Sequence, residues 1–230
     1  MNETIHISGF ADEICTDFEE QLQTVTKLGM HYISLRSANK KGIADFTVKE
    51  VKDELLPVLE KYQVRVSSIG SPIGKVGIED RAGFEICEIC KVLDCKYIRM
   101  FSFFIPEGKE ADLYYDEVIE KLNQFLDIAK EYDVILLHEN EKDIYGDTKE
   151  RCLKLFEAIQ DPHFKAAFDF ANFVQCKEDT EACWEALRPY IEYIHIKDAV
   201  TTDNENVVCG TGEGKIEQLL DRALNQESYQ

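Results

Sequence analysis

The sequence predicts an α/β fold on a parallel sheet, either a (β/α)8 barrel or a doubly wound sheet. Short runs of β-branched and aromatic residues alternate with amphipathic helical stretches along the whole chain. The runs start about 25 to 38 residues apart, the length of one strand plus the helix that a parallel crossover needs. No G-x-G-x-x-G follows the first run, so the dinucleotide signature of the doubly wound sheet is missing.

Seven strands are expected, at 5–10 (IHISGF), 32–36 (YISLR), 64–70 (VRVSSIG), 96–101 (KYIRMF), 134–139 (VILLHE), 165–170 (KAAFDF) and 191–197 (IEYIHIK). The helices between them carry start and stop signals. Thr16 with Glu19 reads as a capping box and Gly29 as the matching stop; Thr47 with Glu50 repeats the box, and Asp147 with Glu150 does similar work before CLKLFEAI. Pro57 falls inside the second helical pattern, where it is expected to kink or break the helix. Without a linker rich in Gly, Ser or Pro, residues 1–230 read as one domain.

Composition narrows the function classes. A net charge of −19 repels phosphate backbones, so nucleic acid is not an expected partner. No run of about 18 apolar residues marks a membrane span, and MNETIHISGFADEI has no signal-peptide pattern. Eight scattered cysteines read as reduced thiols of a cytoplasmic protein. Cys87 and Cys90 form a C-x-x-C, but inside a helical pattern with no second pair and no nearby His, so they read as two half-buried thiols. Gly210, Gly212 and Gly214 space as G-x-G-x-G after the seventh strand, either as a weak phosphate loop or as a flexible loop before a last helix.

The chemistry sits where strands end. Strand two ends at Arg36, strand four carries Arg99, strand five ends in Glu139 followed by Glu141, strand six gives Asp169 then Asn172, and strand seven gives His195, Lys197 and Asp198. Alternation turns Ile135, Leu137 and Glu139 one way, Ala167 and Asp169 one way, and Tyr193, His195 and Lys197 one way. Ile194 and Ile196 then face a helix layer, and so does His138. Asp198, of opposite parity, is expected to orient the following loop or His195 from outside. Two buried carboxylates and an imidazole on three successive strands call for a compensating charge, and a divalent cation supplies it; the mixed O/N set suits Mn, Zn, Fe or Co better than Ca. The alternative is an ion-pair network with Arg36, Arg99 or Lys197. Among the other candidates, His6, His31 and His163 read as surface or satisfied histidines, Trp184 as helix packing, and Phe101, Phe103 and Phe104 as a sugar pocket or core.

These stretches resemble the xylose isomerase-like TIM-barrel superfamily, the sugar phosphate isomerase/epimerase group. The markers are SGFADEI, ISLR, IGSPIGK, YIRMF, LLHEN, FDFANFV and YIHIKDA followed by GTGEGKI, spread over nearly the whole chain. The resemblance implies a (β/α)8 TIM barrel, and a divalent metal (Mn, Zn, Co or Mg) held by Glu139, Asp169 and His195 with a further Glu from strand eight. It implies a sugar or sugar phosphate as the partner, and isomerisation or epimerisation by proton transfer through an enediolate with Glu139 as acid/base. Arg36, Arg99, Glu141, Asn172 and Lys197 are the expected substrate contacts. A lyase of the inosose dehydratase type on the same site, a non-catalytic sugar-binding barrel and a multi-zinc endonuclease IV-like nuclease are the alternatives, the last disfavoured by five histidines and the charge. Two departures stand out. Asn172 replaces the His of an Asp-x-x-His pattern, and no strand eight is read before Gln230, so the native protein is expected to be longer. A homo-oligomer is an open expectation.

Overall fold

The computed structural model describes residues 5–75 and 80–225. Seven strands, β1 (Ser8–Gly9), β2 (Tyr32–Leu35), β3 (Arg65–Gly70), β4 (Tyr97–Met100), β5 (Ile135–Glu139), β6 (Phe164–Asp169) and β7 (Ile191–His195), are hydrogen-bonded in chain order. The pairs β1·β2, β2·β3, β3·β4 and β6·β7 are parallel. Between strands run α1 (Phe18–Lys27), α2 (Leu56–Tyr62), α3 (Asp80–Val92), α4 (Tyr115–Tyr132), α5 (Lys149–Ala158), α6 (Phe170–Gln175) and α7 (Thr180–Leu187), and α8 (Ile216–Asn225) follows β7.

Two compact units make up the chain. One runs up to Met100 and takes back Gln124–Leu136; the other holds Phe101–Asn123 and continues from Leu137. In the first, Leu22, Val25, Ile33, Leu35, Ile69, Ile86 and Ile98 are buried between strands and helices. In the second, Trp184 stacks on Phe170 and meets Phe168 edge-on, so this tryptophan is helix packing as expected. Among the described residues no helix is long and apolar enough to cross a membrane.

The expected strands form, shorter by a residue or two at most ends. Strand one shortens most, to Ser8–Gly9, and Ile5 and Ile7 stay exposed. Its pairing with β2 spans only Ser8↔Tyr32 and Gly9↔Ile33, so the apolar alternation before it has no sheet neighbour to pack beside. On β7, Ile196 lies beyond the last strand residue and is 56% exposed, contrary to the expected cover by a helix layer.

Local signals act where hydrogen bonds can close. Thr47 and Glu50 form the expected capping box, with the Thr47 N–H donating to Glu50 Oε2 at 2.7 Å and the Glu50 N–H to Thr47 Oγ1 at 3.2 Å. Two expected caps are displaced by one residue. Helix α1 is capped by Asp17, which accepts from the Glu20 N–H at 2.9 Å, and α5 by Thr148, which accepts from Arg151. A carboxylate one residue nearer the helix competes better than the Thr16 hydroxyl, while Asp147 is engaged by the Arg151 guanidinium. Gly29, at φ +75, ends α1 as expected. Pro57 stands in the first turn of α2, directly after a π-helical turn at Val51–Leu55, so the α-helical pattern is interrupted just before it. Replacing Asp17 by Ala is expected to lower unfolding stability in urea by about 1 kcal/mol, while Thr16→Ala stays within about 0.5 kcal/mol. The reverse order would return the cap to Thr16.

Candidate metal centre

Three strand ends in the second unit build the site. The parallel register pairs Asp169 directly with His195, and Ala167 with Tyr193 below them. Glu139 closes β5, and its Oε1 lies 2.9 Å from His195 Nδ1. Glu139, Asp169 and His195 are all buried and each offers one ligand atom, all within 4.8 Å of one another. Tyr193 meets the His195 ring edge-on at 5.6 Å, so the two share the face that alternation assigns them.

Asp169 does two jobs. Its Oδ1 accepts from the Asn172 N–H at 2.8 Å and so caps α6, which fixes the carboxylate where strand turns into helix. Asn140 holds the same residue from β5: its Oδ1 accepts from the Asp169 N–H at 2.9 Å and its Nδ2 donates to the Asp169 carbonyl at 3.0 Å. The Asn172 amide in turn donates to the Asn140 carbonyl at 2.8 Å. Sequence reading passed over Asn140; its place in HEN, of opposite parity to Glu139, was the available signal.

Lys197 completes the cluster, with Nζ 3.3 Å from Asp169 Oδ2 and 2.8 Å from Asn172 Oδ1. The expected contact between Asn172 and a substrate is thus a contact with Lys197 here. Burial pushes the Asp169 carboxyl up to about 7; Lys197 pulls it down, Glu139 pushes it further up, and His195 pulls it down. Lys197 therefore offsets only part of the burial cost, which leaves the pocket short of positive charge. A donor set of two carboxylates and one imidazole with such a deficit fits a divalent cation of the Mn, Zn, Co or Mg type.

Behind the site, His138 faces Phe156 and Phe164, as alternation predicts, and shares a 2.9 Å hydrogen bond with Ser102 Oγ. Burial pushes it down to about 4, so it is neutral. Glu141 is half-buried just past β5. In the first unit Arg36 pairs with Asp12 at 2.8 Å and Glu13 at 3.3 Å, and its guanidinium lies over the Phe10 ring. Arg99 is buried over the same ring, beside Gly70, where a Cβ would come within 3.2 Å of its Nη2. Of the alternative ion-pair network, the pair between Asp169 and Lys197 is formed.

Asp198 is buried and orients the loop after β7. Its carboxylate accepts from the backbone N–H groups of Ala199, Gly210, Gly212 and Gly214 at 2.8–3.0 Å. A Cβ at Gly212 would fall 2.5 Å from the Ala199 carbonyl and from Asp198 Oδ1. The G-x-G-x-G spacing thus serves a protein carboxylate, in a loop that precedes the helix α8. All eight cysteines are free, and Cys87 and Cys90 are fully buried on α3, deeper than the half-burial expected. Phe101 is core, while Phe104 is exposed.

A model of the xylose isomerase-like TIM barrel matches residues 22–230, and the chain belongs to that family. No curated protein matches it significantly. Among solved structures, it is similar to a xylose isomerase-like TIM-barrel protein from Mycobacterium smegmatis in complex with magnesium. That pair shares 13% identity at TM-score 0.75, covering 95% of this chain and 85% of the other. A probable 3-DHS dehydratase of petrobactin synthesis from Bacillus anthracis gives 12%, TM-score 0.76 and 97% and 90%. D-allulose 3-epimerase from Methylomonas sp. in complex with D-allulose gives 12%, 0.70 and 98% and 83%. These likenesses establish the TIM-barrel fold.

For a cation held at this cluster, Asp169 would set how affinity depends on pH. Its folded value near 7 lies above the unfolded value of about 3.9. Its contribution to stability is therefore full below about pH 4 and lost as pH rises through 7. A cation must displace that proton, so affinity is expected to climb roughly tenfold per pH unit up to about 7 and flatten above. Calorimetry at pH 6 and pH 8 in buffers of different ionisation enthalpy reads the released proton; affinity equal at both pH values contradicts the assignment.

Proposed function

We propose that the chain is a divalent-metal-dependent isomerase or epimerase that moves a proton between adjacent carbons of a sugar or sugar phosphate through an enediolate. The convergence of Glu139, Asp169 and His195 carries this reading. Glu139, Asp169 and His195 hold the cation. When bound, the cation polarises a carbonyl and its neighbouring hydroxyl and stabilises negative charge on oxygen.

Glu139 is the acid/base. Its Oε1 is hydrogen-bonded to His195 Nδ1, so the carboxylate is held against a fixed ring. Asp169 is anchored at Oδ1 by the helix amide, which leaves Oδ2 directed toward the cluster and Lys197. Glu141 and Lys197 contact substrate, and Asn172 acts through Lys197, whose Nζ its Oδ1 holds at 2.8 Å. A dehydratase would use the same proton abstraction with loss of a neighbouring hydroxyl, so substrate alone separates the two. The nuclease reading requires several metals, and the described residues form one cluster of ligand geometry.

Exchange of substrate C–H for deuterium in D2O tests the reading, since it records proton abstraction whether or not product accumulates. Incubation of the Mn-, Zn-, Co- or Mg-loaded protein with a panel of ketoses is expected to label the carbon beside the carbonyl. Glu139→Gln lowers that rate by about 10²- to 10⁴-fold, and chelation abolishes it. Binding of sugars with no exchange in any of these conditions would favour the non-catalytic barrel.

A further inference from the structure

The ligand cluster and Lys197 together set the charge that a substrate meets. Glu139 and Asp169 bring two negative charges, and a ligating His195 is neutral. A divalent cation cancels the two ligand carboxylates, and Lys197 then leaves these four residues with one net positive charge. Asn172 and Asn140, the other polar side chains woven into the cluster, add none. In the ground state a neutral sugar forms no ion pair with that charge, whereas a carboxylate or phosphate does.

Geometry leaves Lys197 free to use it. Its side chain is 38% exposed, while the Asp169 side chain it touches is 2% exposed. An ammonium has three N–H donors. Asn172 Oδ1 accepts from one at 2.8 Å and Asp169 Oδ2 forms an ion pair at 3.3 Å, so the donors are not exhausted. The Nζ thus bridges the buried cluster and the accessible side of the site. Charges beyond about 8–10 Å are screened at physiological salt, so this local cation outweighs the −19 of the whole chain for a group already in the site.

We propose that Lys197 is a specificity residue: with the cation bound, it takes a carboxylate or phosphate substituent of the substrate, and the site prefers anionic hydroxycarbonyl compounds to neutral sugars. The inference rests on the metal-site reading above and narrows its substrate class.

Three matched three-carbon probes test it: neutral dihydroxyacetone, hydroxypyruvate with a carboxylate, and dihydroxyacetone phosphate. Calorimetry on the Mn²⁺-loaded protein is expected to show at least one anion binding about ten- to a hundredfold tighter than the neutral probe, the range of a charge-assisted contact. Whichever anion binds tighter identifies the substituent. Lys197→Met removes the preference, Lys197→Arg keeps it, and the metal-free protein shows none. Melting curves check that each variant is folded, which the half-exposed position favours. Equal affinity for all three probes overturns the proposal. So does no anion binding at millimolar concentration, or a preference that survives in Lys197→Met. Loss of Mn²⁺ affinity in Lys197→Met also overturns it, because the residue would then act on the metal alone. Calorimetry with Mn²⁺ alone keeps the two readings apart: a wild-type protein that binds no metal sinks the proposed function, while one that binds metal without preferring anions sinks only this inference.

Discussion

The second unit is organised around a buried carboxylate. Asp169 sits at the end of β6 with its side chain 2% exposed, and burying such a group without partners costs several kcal/mol. The surrounding residues answer that cost one atom at a time. Asn172 supplies a helix amide to Oδ1, Lys197 an ammonium to Oδ2, and Asn140 clamps the backbone of the same residue on both its N–H and its carbonyl. The compensation is incomplete, as the raised carboxyl shows. What remains is a demand for positive charge at a defined point, and three strand ends converge on it.

Asp198 shows the same residue type solved the other way. It too is buried beyond β7, yet four backbone N–H groups surround its carboxylate. Neutral dipoles suffice there because they are numerous and aimed, and the glycines let the chain come close enough to aim them. One carboxylate is fully served by backbone and stabilises a loop. The other is half served and stays chemically open. They lie beside Lys197, which reaches back to Asp169 while its neighbour ties down the loop.

Strand order, helix phase and the three ligand candidates were legible in the sequence because they depend on local patterns. Alternation of period two fixes which residues of β5, β6 and β7 share a face, and the parallel register then sets Asp169 beside His195. What stayed hidden depends on competition or on long-range closure. Thr16 and Asp17 both carry capping side chains, and only the folded helix chooses between them. Pro57 marked an interruption of the helix, but that it follows a π turn is not visible in residue identities. The glycines after β7 left a phosphate loop and a flexible loop both open because their acceptor, Asp198, lies a dozen residues away. Ile196 looked covered because alternation assigns a face without saying what lies against it.

The two faces of β5 divide stability from chemistry. His138 turns to Phe156 and Phe164, is kept neutral by burial, and shares Ser102 with the Gly146 N–H at 2.7 Å. A Cβ at Gly146 would come 2.5 Å from His138 Cε1, so that side has no slack. Glu139, one residue on, faces the cluster and meets His195. A rigid, uncharged backing matters to a base because the position of its oxygen must hold within a few tenths of an ångström while a proton moves. A second charge on His138 would disturb both the packing behind Glu139 and the field in front of it. The apolar, hydrogen-bonded rear face of β5 is thus part of what fixes the Glu139 carboxylate on its front face, as the proposed base role requires.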